Sequence, residues 1–131
     1  MSASLADYWA ARKPLELKLR RQSRVLEVGF DDGHRFELPF EYLRVYSPSA
    51  EVRGHGPGQE TLQLGKHEVG VRAVEPVGNY AVRIVFDDGH DTGLYTWAYL
   101  HELGRDREEK WRNYLARLKE LGIPYPTPAK K

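Results

Sequence analysis

Histidine is the side chain whose charge changes closest to neutral pH, and this chain of 131 residues has 5 of them: His34, His55, His67, His90 and His101. None opens a His-x-Asp or His-x-Glu pattern, because His34-Arg35-Phe36, His55-Gly56-Pro57, His67-Glu68-Val69, His90-Asp91-Thr92 and His101-Glu102-Leu103 are what follow. The usual local form of a two-histidine, one-carboxylate iron site is therefore missing, and so is a His-Glu-x-x-His zinc helix. Ser47, Ser49, His90 and Asp87 or Asp88 include the residue types of a hydrolytic triad. No Gly-x-Ser-x-Gly elbow accompanies them, and acids in a hairpin turn are normally solvated. Gly54, Gly56 and Gly58 could suggest a phosphate cradle, yet no Gly-Lys-Ser/Thr follows, which leaves a flexible loop as the better reading. With 0 cysteines, disulfides, thiolate zinc sites, iron-sulfur ligation and cysteine nucleophiles all drop out. No convergent catalytic set emerges, so a non-enzymatic domain is expected.

The elements that would position these residues are organised by a repeat. Phe30-Asp31-Asp32-Gly33-His34 recurs as Phe86-Asp87-Asp88-Gly89-His90, and its context recurs too, VLEVGFDDGHRFELPFEYLR against AVRIVFDDGHDTGLYTWAYL. Each copy reads as strand, Asp-Asp-Gly-His turn, strand and short helix, because a glycine after two aspartates suits the positive φ of a tight hairpin. Functionally the repeat pairs His34 with His90; structurally it means only that two hairpins use the same turn chemistry. Leu15, Leu17 and Leu19 alternate with charges and predict a half-buried first strand. Strands are also expected at 61–64 and 68–75, a turn at Pro76-Val77-Gly78-Asn79, and a central strand over 80–86, which is apolar on both faces except at Arg83. Phe40 to Tyr46 has near-helical apolar spacing, and Ser47 to Glu60, rich in Gly and Pro, reads as a surface loop.

Further on, Thr96 can cap a helix ending at Leu103, with Gly104 as its left-handed stop. Asp106 and Glu109 form a capping-box pattern ahead of an amphipathic helix whose stripe is Trp111, Tyr114, Leu115, Leu118 and Leu121, closed by Gly122 and Pro124. The expected fold is α+β: one compact domain of antiparallel β-sheet with two related hairpins, short helices and that C-terminal helix. Leu26, Val28, Phe30, Val82, Ile84 and Phe86 should share its core, as related halves of one sheet. The chain divides into an N-terminal segment (1–14), the domain (15–104), the helix packed on it (105–122) and a flexible tail (123–131).

Composition narrows the partners. Apolar residues at 40% and charged residues at 30% describe a globular protein. Lys and Arg number 20 against 19 Asp and Glu, a net charge of +1 that disfavours nucleic acid, although Lys18, Arg20, Arg21 and Arg24 cluster near the first turn. No apolar run approaches the roughly 18 residues of a membrane span, so no membrane insertion and a cytoplasmic location are expected.

Two stretches carry a resemblance: Leu43-Arg44-Val45-Tyr46-Ser47-Pro48-Ser49-Ala50-Glu51-Val52-Arg53-Gly54-His55, and Pro76-Val77-Gly78-Asn79-Tyr80-Ala81-Val82-Arg83-Ile84 continuing through Phe86-Asp87-Asp88-Gly89-His90-Asp91-Thr92-Gly93-Leu94-Tyr95-Thr96-Trp97. Over about Leu15 to Gly104 the chain resembles the gamma-butyrobetaine hydroxylase-like N-terminal domain family, of unknown function in its bacterial stand-alone members. The resemblance implies a compact α+β domain that in larger relatives accompanies a 2-oxoglutarate oxygenase or an iron-sulfur carrier ATPase. It also implies a zinc site of three cysteines and a histidine, whose positions here hold Ser47, Ser49, Val52 and His90. Only the histidine is a good zinc ligand, so no cofactor is expected. Were zinc or iron to bind, the histidine pair would be His55 and His90, with Glu51 or Asp88 as third ligand. The leading expectation is a non-catalytic accessory domain that binds another protein, itself a monomer or weak homo-oligomer, through a surface where Arg53, His55, Asn79, His90 and Trp97 converge. The alternative is a metal-binding accessory to iron or iron-sulfur metabolism or to 2-oxoglutarate oxygenases.

Overall fold

Alternation of apolar and polar residues dictates strands that bury one face, and the repeat makes the pattern occur twice. The computed structural model describes residues 14–53 and 62–126. Strands β1 (Pro14–Arg20), β2 (Val25–Phe30) and β3 (Arg35–Pro39) form one antiparallel sheet in the order β1-β2-β3 and lead into helix α1 (Phe40–Val45). After the short helix α2 (Ala50–Arg53), strands β4 (Val71–Val77), β5 (Ala81–Phe86) and β6 (Leu94–Thr96) form a second sheet in the order β4-β5-β6. This leads into helix α3 (Trp97–Arg105), followed by α4 (Arg107–Glu120). The repeat is thus a whole three-strand-and-helix unit, built as two sheets instead of the expected halves of one. The shared core is present: Leu26, Val28, Phe30, Val82, Ile84 and Phe86 lie in one cluster with Leu43 of α1 and Leu100 and Leu103 of α3.

The two hairpins close alike. Phe30 N–H donates to His34 C=O at 2.8 Å and Phe86 N–H to His90 C=O at 2.9 Å. Gly33 and Gly89 sit at φ of 89° and 92°, a region that a side chain would strain. In each turn the second aspartate accepts from the histidine amide, Asp32 at 3.0 Å and Asp88 at 3.1 Å.

Several local expectations are corrected. A register shift between Pro14 and Glu16 makes Leu15 the extra residue of a bulge, leaving it 75% exposed while Leu17 and Leu19 pack on the core. The second sheet starts at Val71, and the described part of the preceding segment, 62–70, carries no strand. Pro76 and Val77 extend β4, where an edge strand tolerates proline, so the turn shrinks to 78–80. The expected loop after Tyr46 holds the helix α2. Thr96 caps α3 as expected, accepting from Tyr99 N–H at 3.1 Å. The helix nevertheless runs through Gly104 to Arg105; a Cβ at 104 would stand 2.2 Å from Phe36 Cγ, so the glycine serves close packing of α3 on β3. Asp106 makes no side-chain cap because Arg105 holds both of its carboxylate oxygens. On α4, Tyr114 and Leu118 are buried, but Leu121 is exposed.

Candidate functional site

The segment after α1 carries Ser47 and Ser49 into the interior, against the second Asp-Asp-Gly-His turn. Ser47 Oγ lies 2.8 Å from His90 Nε2, and Ser49 Oγ lies 3.4 Å from the same nitrogen. His90 Nδ1 faces Glu51 Oε2 at 3.2 Å. Three of the four positions that the resemblance gives to zinc therefore do meet, but through hydroxyl-imidazole hydrogen bonds. Gly93 makes room for this: a Cβ there would come within 2.6 Å of Ser47 Oγ.

Serine, imidazole and carboxylate stand here in the order of a hydrolytic triad, but turned inside out. Ser47 is 1% exposed, whereas the Glu51 side chain is 65% exposed. A nucleophile must reach substrate while its acid stays buried, and here the serine is sealed. Burial, aided by the charge of Arg44, holds His90 below the ordinary imidazole range, against the pull of Glu51 and Asp88. Its neutral form is thereby favoured. Burial would raise the Asp88 carboxyl, but Lys66, the His90 amide and Arg44 outweigh it and hold it down to about 2. Arg44 Nε and Lys66 Nζ approach Asp88 Oδ2 at 2.9 and 2.7 Å.

The surface expected to join Arg53, His55, Asn79, His90 and Trp97 is not seen among the four of them that are described. His90 is buried at one end of β5; Asn79 and Trp97 meet at the other, where the indole N–H donates to Asn79 C=O at 2.8 Å and the Trp97 amide donates to Tyr80 C=O at 3.2 Å. This contact ties α3 to the β4–β5 turn. The Arg53 guanidinium lies 4.8 Å from the ring centroid of Tyr99. His55 lies outside the described residues. Arg53 and Tyr99 belong to a groove of 390 Å³ between the Pro48 segment and α3, which Leu94, Thr96 and Glu102 also line.

The basic cluster near the first turn is structural. Arg21 donates to the carbonyls of Val71 and Arg72, at 2.5 and 2.9 Å, and Arg24 to that of Val69 at 2.5 Å, strapping the first hairpin to the second sheet. Arg20 pairs with Glu27, and Lys18 with Glu16.

The first Asp-Asp-Gly-His turn holds a group that the sequence reading did not assemble. Asp32 Oδ2 lies 3.0 Å from His34 Nδ1 and 2.8 Å from His101 Nε2, the latter from α3 and 69 residues away. The His34 amide chiefly, with both imidazoles adding to it against a smaller effect of desolvation, holds the Asp32 carboxyl well below the usual range. His101 is 4% exposed and makes edge-to-face contacts with Phe30 and Phe36, while His34 stacks on Phe36 with its side chain 59% exposed. The repeat singled out His34; only tertiary structure could supply His101.

Two sheets from one repeated strand-turn-strand-helix unit, each turn facing a side chain from the other unit's helix, define a duplicated α+β domain. The chain belongs to the gamma-butyrobetaine hydroxylase-like, N-terminal family, whose sequence profile matches residues 17–101. It is similar to a protein of unknown function in the DUF971 family from Acidithiobacillus ferrooxidans ATCC 23270, whose crystal structure is 44% identical with a TM-score of 0.61 over 72% of this chain and 94% of that one. Two NMR solution structures are also similar. One is 48% identical with a TM-score of 0.77, over 100% of this chain and 98% of that one. The other is 44% identical with a TM-score of 0.77, over 92% and 94%. No curated protein matches. Among the described residues no helix is long and apolar enough to cross a membrane.

Proposed function

We propose that the chain is a non-catalytic accessory domain that works by protein contact, through the groove between the Pro48 segment and α3. The observation that carries this reading is the inverted triad: among the described residues, the arrangement with the residue order of a hydrolase faces inward and leaves Ser47 1% exposed, beyond a substrate's reach. What faces outward instead is a recess with an apolar edge, Pro48 and the 41% exposed Leu94, beside the Arg53 cation. Such a recess suits a partner segment that places an apolar side chain next to a carboxylate, with rigid helix and sheet beneath it. A cytoplasmic setting fits this reading. The alternative, a metal-binding accessory, is favoured by one observation, the carboxylate and two imidazoles gathered at the first turn.

Affinity capture from the native host with wild type, Leu94→Glu and Arg53→Glu as parallel baits tests the proposal. A protein retained by wild type and lost from both variants is expected. Capture that ignores both substitutions, or ester hydrolysis by the purified protein that disappears in Ser47→Ala, would contradict it.

A further inference from the structure

We propose that Asp32, His34 and His101 form a binding site for a late first-row divalent metal ion, zinc being the probe of choice. The site goes beyond the protein-contact reading and uses none of the residues that align with the family's zinc ligands.

Geometry comes first. With metal-ligand bonds of about 2.0 to 2.1 Å, two ligands of a tetrahedral or octahedral ion stand about 2.9 to 3.4 Å apart. The two imidazole nitrogens lie 3.0 and 2.8 Å from Asp32 Oδ2, and one ligand atom from each of the three residues falls within 4.8 Å of the others. The two carboxylate–imidazole separations need widen by only a few tenths of an ångström, and the two imidazole nitrogens must stand in the same range of each other, for the ion to replace the two N–H protons that now point at the carboxylate. Two imidazoles and a carboxylate suit zinc and its neighbours and leave the remaining positions to water.

Orientation is already built. Asp32 Oδ1 accepts the His34 amide at 3.0 Å, fixing the carboxylate in its turn. The His101 ring is held by edge-to-face contacts with Phe30 and Phe36, at centroid distances of 4.9 and 5.3 Å, and His34 lies against the face of Phe36 at 5.6 Å. Ligands held in this way lose little freedom on binding, although two of the three sit in a turn. His34, with its side chain 59% exposed, leaves an entry path for the ion.

The second turn supplies the internal control. Its corresponding oxygen, Asp88 Oδ2, is taken by Arg44 and Lys66, and its histidine turns inward to Ser47. Where that turn places two cations on its aspartate, the first places two imidazoles. A metal ion would put positive charge at the first turn's aspartate in the same way.

The test is calorimetric titration of ZnCl2 into full-length, tag-free protein stripped with a chelator, with cobalt absorption as a second readout. Wild type should bind one zinc per chain, and cobalt should give the visible spectrum of a nitrogen- and oxygen-ligated ion. Because His34 is exposed, His34→Ala keeps the fold, and Asp32→Asn keeps an oxygen to accept the amide. Each should weaken zinc by more than about 100-fold, beyond the loss of an outer partner, and abolish the cobalt spectrum. Absence of binding by wild type would overturn the proposal. So would binding that survives both substitutions, or that is lost instead in His55→Ala.

Discussion

The two Asp-Asp-Gly-His turns have the same backbone and opposite surroundings. Glycine φ, the closing hydrogen bonds and the aspartate-to-amide bond match between them. Yet His90 is buried against two serines, and His34 faces solvent beside a second imidazole. The difference arises from what each aspartate meets across the pseudo-symmetric junction, since Asp88 reaches Arg44 of α1 and Asp32 reaches His101 of α3. A duplicated turn thus fixes backbone geometry, while the helix of the other half determines its chemistry. One copy has become a buried structural joint and the other an open cluster of ligand-type side chains.

The largest expected effect tests whether the halves are one folding unit. Phe30 and Phe86 occupy matching core positions, 3% and 1% exposed, so Phe30→Ala and Phe86→Ala should each cost about 3 to 5 kcal/mol in urea unfolding, with a single transition retained. Two separated transitions would break the shared-core description. Next, His90→Ala removes the imidazole that both buried serine hydroxyls meet and leaves a cavity, an expected loss of about 2 to 4 kcal/mol, whereas His34→Ala should stay within about 0.5 kcal/mol. Equal losses would erase the contrast between the turns.

Backbone equivalence gives a smaller, symmetric effect. Neither Gly33 nor Gly89 has an atom within 4 Å of a built Cβ, so Gly33→Ala and Gly89→Ala should each cost about 1 kcal/mol, from positive φ alone. Unequal costs would show that the turns differ in backbone as well as in side chains. The smallest effect concerns acid. Because His90 titrates below 6.5 in the folded protein, the unfolded chain binds more protons in the window beneath 6.5, and stability should fall as pH drops through it. A His90→Gln variant should lose that slope; a slope left intact would assign it to another group.

What the sequence made legible follows from local rules. The strand-turn-strand-helix repeat, the central strand (expected over 80–86 and found at 81–86) and the core set Leu26 to Phe86 rest on apolar runs, alternation and turn residues, which act over a few positions. Leu15 and Gly104 failed because a bulge and a helix-to-strand contact are tertiary facts: one residue of slip exposes a leucine, and Phe36 sets what position 104 can hold. Asp106 failed because its neighbour Arg105 competes for the side chain that would have capped the helix. The resemblance brought Ser47, Ser49 and His90 together across 43 residues, which local pattern could not have done. Asn79 and Trp97 were singled out through the same matched motifs, but they tie α3 to the β4–β5 turn at the far end of β5. His101 was invisible as a partner of Asp32 because nothing local links positions 69 residues apart.

The division of roles between the turns is tested most directly by following the imidazole nitrogens of all the histidines by NMR, first through a pH titration and then with added zinc. His90 should titrate below 6.5 and not respond to zinc, while the ring signals of His34 and His101 should shift together at one equivalent. Zinc that moves His90 and leaves His34 and His101 in place, or a His90 that titrates above 6.5, would contradict it.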